Sequence, residues 1–208
     1  MRGLAVVLLL VVASPALADK YEASMDVHPV GGLATVHEAA AEAVTVPFGG
    51  LAARFGYGLE HWLEIDAEVA FAQLARAHYE NVQVTVDRGP EMPADIDRMT
   101  RVGRASIGAL FRFGVELIPT VYIGAGMQGR WRDAAMLSST AFVPDGYDTD
   151  LSLDLTVTAR VGLDYRPHRR WVLGASVGVT HAFAIGAPGL DALEGTLAAS
   201  YYWYPPWR

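Results

Sequence analysis

Apolar and polar side chains alternate at every second position along most of this chain. That is the period of a β-strand whose two faces meet different surroundings, and not the period of a helix. Over 51–59 the odd positions read Leu51, Ala53, Phe55, Tyr57 and Leu59, against Ala52, Arg54, Gly56 and Gly58. Over 63–71 they read Leu63, Ile65, Ala67, Val69 and Phe71, against Glu64, Asp66, Glu68 and Ala70. The same alternation runs through 105–115, 121–127, 151–165, 171–179 and 193–203. A weaker first strand covers about 21–30, with Glu22, Ser24, Asp26 and His28 as its polar face.

These segments predict eight strands. Short turns fall near 60–62, 116–119 and 166–170, and longer polar connections near 34–46, 77–100, 132–149 and 184–190. An even number of strands, with short turns at one end and longer loops at the other, predicts an all-β fold: an eight-stranded antiparallel up-and-down transmembrane β-barrel. The second and third long segments are acidic, with Glu80, Asp87, Glu91, Asp95 and Asp97 in one and Asp133, Asp145, Asp148 and Asp150 in the other. Both read as loops.

Alternation leaves open which face is inside, because a secreted lipocalin-like barrel alternates too. Three features put the apolar face outside. An eight-stranded barrel has room inside for side chains or one small ligand, and Phe, Tyr, Trp, Leu and Ile recur on the apolar face in numbers that overfill it. The other face, rich in Gly, Ala, Ser and Thr, suits a cramped lumen. Tyr57, Phe113, Tyr165, Trp171, Tyr201 and Trp203 cluster toward the short-turn end of the apolar face, with Trp131 and Phe183 toward the other end. Tyr and Trp favour the membrane–water boundary. Finally, the apolar face carries no charge within these spans.

Composition narrows the picture further. Residues 1–18 carry Arg2, an apolar run over 4–13 and the small-x-small sequence Ala16-Leu17-Ala18, which predicts a cleaved export signal. Asp19 follows the predicted cut, so a lipid-anchored cysteine is not indicated. Residues 19–208 then form one domain. No run of 18 apolar residues remains to cross a bilayer as a helix. There are no cysteines, and the net charge of −7 gives no support to nucleic-acid binding. Lys20 is the single lysine in the chain, so little ordinary soluble surface is expected.

On these residues the chain resembles the small outer-membrane β-barrels of Gram-negative bacteria, such as the OmpA transmembrane domain, OmpX and the OmpW group. The final strand, Leu197-x-Ala199-x-Tyr201-x-Trp203, is similar to the terminal signal read by barrel-assembly machinery, although Tyr204-Pro205-Pro206-Trp207-Arg208 follows it. The resemblance implies outer-membrane lipid and lipopolysaccharide as surroundings, insertion by that machinery and a monomer. Two functions stay open: a structural or envelope-interaction role, and a narrow passage for small hydrophobic solutes. The second predicts apolar groups in the lumen near the loop end, where Leu74 and Leu110 are candidates. A secreted ligand-binding barrel ranks below both.

Candidate chemistry lies on the polar face. Arg54, Arg104, Arg112, Arg130 and Arg160 share a parity with Glu64, Asp66, Glu68, Asp154 and Asp164. Buried charges require partners, so these ten are expected to form an ion-pair network filling the lumen. A tight turn centred on His61 places Arg54 opposite Glu68, and Asp66 and Glu64 opposite Gly56 and Gly58. The lipid A deacylases, another group of outer-membrane barrels, use a histidine, a serine two residues later and a downstream glutamate. His181 and Glu194 are available here, but Phe183 stands at the nucleophile position, so no catalytic residue is assigned. His28, His37, His61 and His78 lack zinc-ligand spacing. No metal or cofactor is predicted.

Overall fold

A computed structural model describes residues 20–37, 42–85, 89–114, 117–137, 149–184 and 189–205. The predicted export signal and the acidic residues Asp87, Asp145 and Asp148 lie outside these residues. Eleven strands are present among the described residues: β1 (Ala23–Val36), β2 (Val44–Glu60), β3 (Leu63–Leu74), β4 (Ala77–Thr85), β5 (Glu91–Arg98), β6 (Thr100–Arg112), β7 (Leu117–Arg132), β8 (Met136–Leu137), β9 (Asp150–His168), β10 (Trp171–Ala184) and β11 (Leu190–Trp203). Eight of them close a barrel in the order β1-β11-β10-β9-β7-β6-β3-β2. Every neighbouring pair in it is antiparallel. Closure leaves no barrel edge unpaired, which is what a sheet surrounded by hydrocarbon requires.

The strands run further toward the loop end than the alternation predicts. β1 reaches Val36 and β2 starts at Val44, so the connection read over 34–46 is shorter than expected. The turn end follows the sequence closely. β2 and β3 pair with Arg54 opposite Glu68, Gly56 opposite Asp66 and Gly58 opposite Glu64, the register set by a turn about His61. Gly114, just after β6, has φ of +128°, a backbone region that glycine enters without steric cost.

The larger difference is at 77–100. This segment forms β4 and β5, which join β8 in a separate three-stranded sheet, β4-β5-β8. Its inward side chains are Ala77 and Tyr79, then Val82 and Val84, all buried. The inward parity switches from odd to even where the β4–β5 register shifts between Tyr79 and Val82. Asn81 takes φ of +54° there, and its N–H donates to the Asp95 carboxylate at 3.0 Å. A bulge that reverses parity hides a period-two pattern, and acidic side chains on the outer face complete the appearance of a loop.

The barrel and this sheet share one apolar cluster. Ala34, Val36, Val46, Leu74, Ala182 and Leu190 of the barrel pack with Ala77, Tyr79, Val82, Val84, Ile96 and Ala135. The sheet therefore sits on the barrel at its loop end, with apolar side chains beneath it and Glu80, Glu91 and Asp95 exposed above.

His78 Nδ1 on β4 lies 2.8 Å from Asp97 Oδ1 on β5, and this hydrogen bond raises the histidine pKa above its ordinary 6.5. A raised folded pKa means that the pair's contribution is complete below pH 6.5 and disappears as pH rises through the raised value. The His78 ring is expected to titrate above 6.5 in an NMR titration, and Asp97→Asn to bring it back down. An unchanged midpoint in Asp97→Asn would show that the pairing is absent in solution.

Candidate functional site in the barrel lumen

Even-numbered side chains of the barrel strands point inward, up to the register shift that leaves His168 exposed at the turn end of β9, and the lumen they fill carries charges from the turn end to the loop end. At the turn end Arg166 Nη2 donates to both carboxylate oxygens of Glu22, each at 3.0 Å. One layer further in, Arg112 pairs with Glu64 at 2.6 Å and also hydrogen-bonds the Tyr202 hydroxyl. Its guanidinium stands 5.0 Å from the Tyr202 ring centroid. Ser24 donates to Glu64 at 2.6 Å. A side chain at Gly56 would collide with both Glu64 and Asp66, so the bare backbone opposite these carboxylates is a space requirement.

Arg54 does not bond Glu68, although the two face each other across the β2–β3 ladder. It donates instead to Asp26 on β1, through Nε at 3.0 Å and Nη2 at 2.8 Å, and lies 3.7 Å from Asp66. Asp26 also accepts from Ser200 at 2.9 Å and sits 2.5 Å from His28 Nδ1. In the middle of the barrel Glu68 joins two arginines: Arg160 at 2.7 Å and Arg104 at 3.1 Å. Arg104 reaches across to Glu194 at 3.0 Å and Thr180 at 2.8 Å, and Arg160 lies 3.6 Å from the same Glu194. The guanidinium of Arg160 covers the Tyr122 ring at 4.4 Å, and a side chain at Gly124 would collide with that ring.

Toward the loop end Arg130, fully buried, pairs with Asp154 at 3.3 Å. Arg132 donates to Asp150 at 2.7 Å. Of the ten charges predicted to share the lumen, nine make ion pairs or hydrogen bonds there, and Asp164 lines a small cavity with Arg54, Arg160 and His28. Seven further members, Glu22, Asp26, His28, Arg132, Asp150, Arg166 and Glu194, were not in the predicted set. Their even parity, on β1 and just before it and on β7, β9 and β11, was the available signal. Glu194 and His181 do not meet: Glu194 is in the lumen, whereas His181 faces outward and bonds Asp191 at 2.5 Å.

The odd-numbered face is the reverse. Large apolar side chains stay exposed around the whole barrel, among them Val27, Leu51, Val69, Ile107, Ile123, Val161, Val177 and Leu197. A continuous exposed apolar belt of this extent is far larger than the patches soluble proteins tolerate. At the turn end it carries an aromatic group, with Trp171 against Tyr201 at 5.3 Å, Tyr201 against Trp203 at 6.1 Å and Phe55 against Trp203 at 6.1 Å between ring centroids. Tyr165 is exposed beside them and Tyr57 half-buried. Phe113 lies just past β6, its N–H donating to the Pro119 carbonyl at 3.0 Å. Trp131 lies near the other end of β7, exposed.

No protein-family model matches the chain, and no curated protein matches it. Solved structures do. The attachment invasion locus protein Ail of Yersinia pestis, solved in complex with the heparin analogue sucrose octasulfate, matches with a TM-score of 0.52 and 16% identity, over 89% of this chain and 100% of that one. Neisserial surface protein A matches with a TM-score of 0.51 and 10% identity, over 88% of this chain and 97% of that one. Identities this low speak to architecture alone. The chain has the eight-stranded fold seen in the small outer-membrane barrels of Gram-negative bacteria, and its exposed apolar belt is a surface that fits lipid hydrocarbon and not water.

Proposed function

We propose that this protein is a non-enzymatic outer-membrane barrel with a closed lumen, acting through its loop end in contacts with the cell envelope. The observation that carries this reading is the ion-pair layer at mid-barrel. Arg104 on β6 reaches Glu194 on β11, two strands on opposite sides of the ring, while Arg160 and Glu68 occupy the remaining width. The cavities above and below this layer are about 30 Å³ each. By the same measure a single water needs about 10–15 Å³, so a continuous aqueous path is not supported. The aromatic side chains at the two ends of the apolar belt mark the membrane boundaries, and the β4-β5-β8 sheet is the part presented beyond the lipid. Its exposed face is acidic, which disfavours a sulfated polyanion of the kind bound by Ail.

One observation favours the second reading, a role in handling small hydrophobic solutes: above the charged layer part of the lumen wall is apolar, with Val30, Ala34, Leu74 and Leu190 buried there. Conductance separates the two. Folded protein, identified by its heat-modifiable gel mobility, is expected to give no stepwise currents in planar bilayers. Stable open-channel currents would overturn the closed-lumen reading.

A further inference from the structure

The exposed charge of the molecule is split between its two ends. In a chain of net charge −7, the sheet at the loop end carries Glu80, Glu91 and Asp95 outward. The β9–β10 turn at the other end is cationic: it reads Arg166-Pro167-His168-Arg169-Arg170, and all of these but Arg166 are exposed. Arg166 turns inward to Glu22, at 3.0 Å, and also hydrogen-bonds the Arg169 carbonyl. The Arg170 N–H donates to His168 Nδ1 at 3.3 Å. These contacts hold the backbone of the turn and leave the Arg169 and Arg170 guanidinium groups at the surface. Lys20, at the same end, is neutralised by Glu60 at 2.6 Å. Among the described residues neither Arg169 nor Arg170 has a carboxylate partner.

Their height on the barrel decides what these two groups meet. Trp171, the next residue, stands against Tyr201 in the aromatic group that ends the apolar belt, and Leu173 beyond it is exposed on the belt itself. Arg170 reaches the same ring system, its Nη1 donating to the Tyr201 hydroxyl at 3.4 Å. Trp and Tyr settle at the headgroup level of a bilayer. At about 3.3 Å per residue, Arg169 lies no more than about 7 Å beyond Trp171, within a headgroup layer about 5–8 Å deep. A guanidinium pairs with a phosphate through two parallel N–H donors, and a headgroup of net negative charge answers two unpaired cations where a zwitterionic one does not. We propose that the β9–β10 turn is a docking surface for an anionic phospholipid headgroup, its phosphate held by Arg169 and Arg170 and its chains lying along the belt below Trp171. An anionic cell-wall polymer fits less well, because these charges do not project past the headgroup layer. The inference concerns the end of the barrel opposite the proposed envelope contacts, and it does not depend on a closed lumen.

The test is NMR of the 168–170 backbone amides and the Arg169 and Arg170 Nε–H groups, in phosphatidylcholine nanodiscs with increasing phosphatidylglycerol. Saturable shifts are expected at these groups as the phosphatidylglycerol fraction rises. The double variant Arg169→Gln/Arg170→Gln keeps the Arg166–Glu22 pair and the Arg169 carbonyl. It should weaken the apparent affinity about twentyfold to thirtyfold, at about fivefold for each arginine near an anionic surface. Heat-modifiable gel mobility reports its folding. Absence of saturable shifts in the folded protein overturns the proposal, as do equal responses in wild type and the double variant. Equal shifts on adding inorganic phosphate to pure phosphatidylcholine discs would assign the turn to free phosphate and overturn it too. So would a response to soluble peptidoglycan fragments with none to phosphatidylglycerol, which would assign the turn to the cell wall. Failure of the protein to enter the discs would remove the transmembrane reading, and this proposal with it.

Discussion

Glu68→Ala is expected to lower the unfolding free energy of the barrel by about 3–5 kcal/mol, the usual range when one partner of a buried ion pair is removed. Glu68 is 2% exposed and holds two guanidinium groups, Arg160 at 2.7 Å and Arg104 at 3.1 Å. Its removal leaves two cations sharing Glu194, and opens a space that side chains from opposite strands cannot close. Glu68→Gln keeps the volume and one acceptor but loses the charge, so it should fall between wild type and alanine. Urea unfolding in lipid vesicles, followed by tryptophan fluorescence, measures both. A loss below about 1 kcal/mol, the scale of exposed pairs, would mean that water reaches the mid-barrel layer. The same variant sharpens the closed-lumen reading, since any current through the barrel should appear first when this layer is broken.

Much of this architecture was legible because a barrel strand states its two environments residue by residue. The parity of Leu151, Leu153 and Leu155 against Ser152, Asp154 and Thr156 assigns both faces, and the spacing of Arg54 and Glu68 about His61 sets the β2–β3 register. Legibility stopped where partners are distant along the chain. Arg104 and Glu194 are 90 residues apart, and Arg160 and Glu68 are 92 apart. These pairings are decided by closure of the ring, which no local pattern encodes. Arg54 illustrates the point: its ladder neighbour is Glu68, but its side chain turns to Asp26 and Ser200, because Glu68 is taken by cations from across the lumen. The β4–β5 hairpin was hidden for a different reason. Its bulge shifts the inward set from Tyr79 to Val82, which breaks the alternation within nine residues.

The face assignment itself yields the second large effect. Val161→Arg should cost about 2–4 kcal/mol of folding free energy in lipid vesicles, the range for arginine on the lipid face near the bilayer midplane. Val161 lies in the interior of β9, is 58% exposed, and is flanked across the ladder by Val121 and Val177, both directed outward. Among the described residues no carboxylate flanks Val161 on that face, and the arginine cannot turn inward without displacing the backbone ladder. His168→Arg, at the turn end of the same strand, provides the comparison. There the side chain reaches headgroups and water, and the cost should fall to about 0–1 kcal/mol. A steep difference between the two sites is the signature of hydrocarbon against the middle of β9. Equal, small effects would mean that the belt is covered by something other than lipid, and the transmembrane assignment would fail with it.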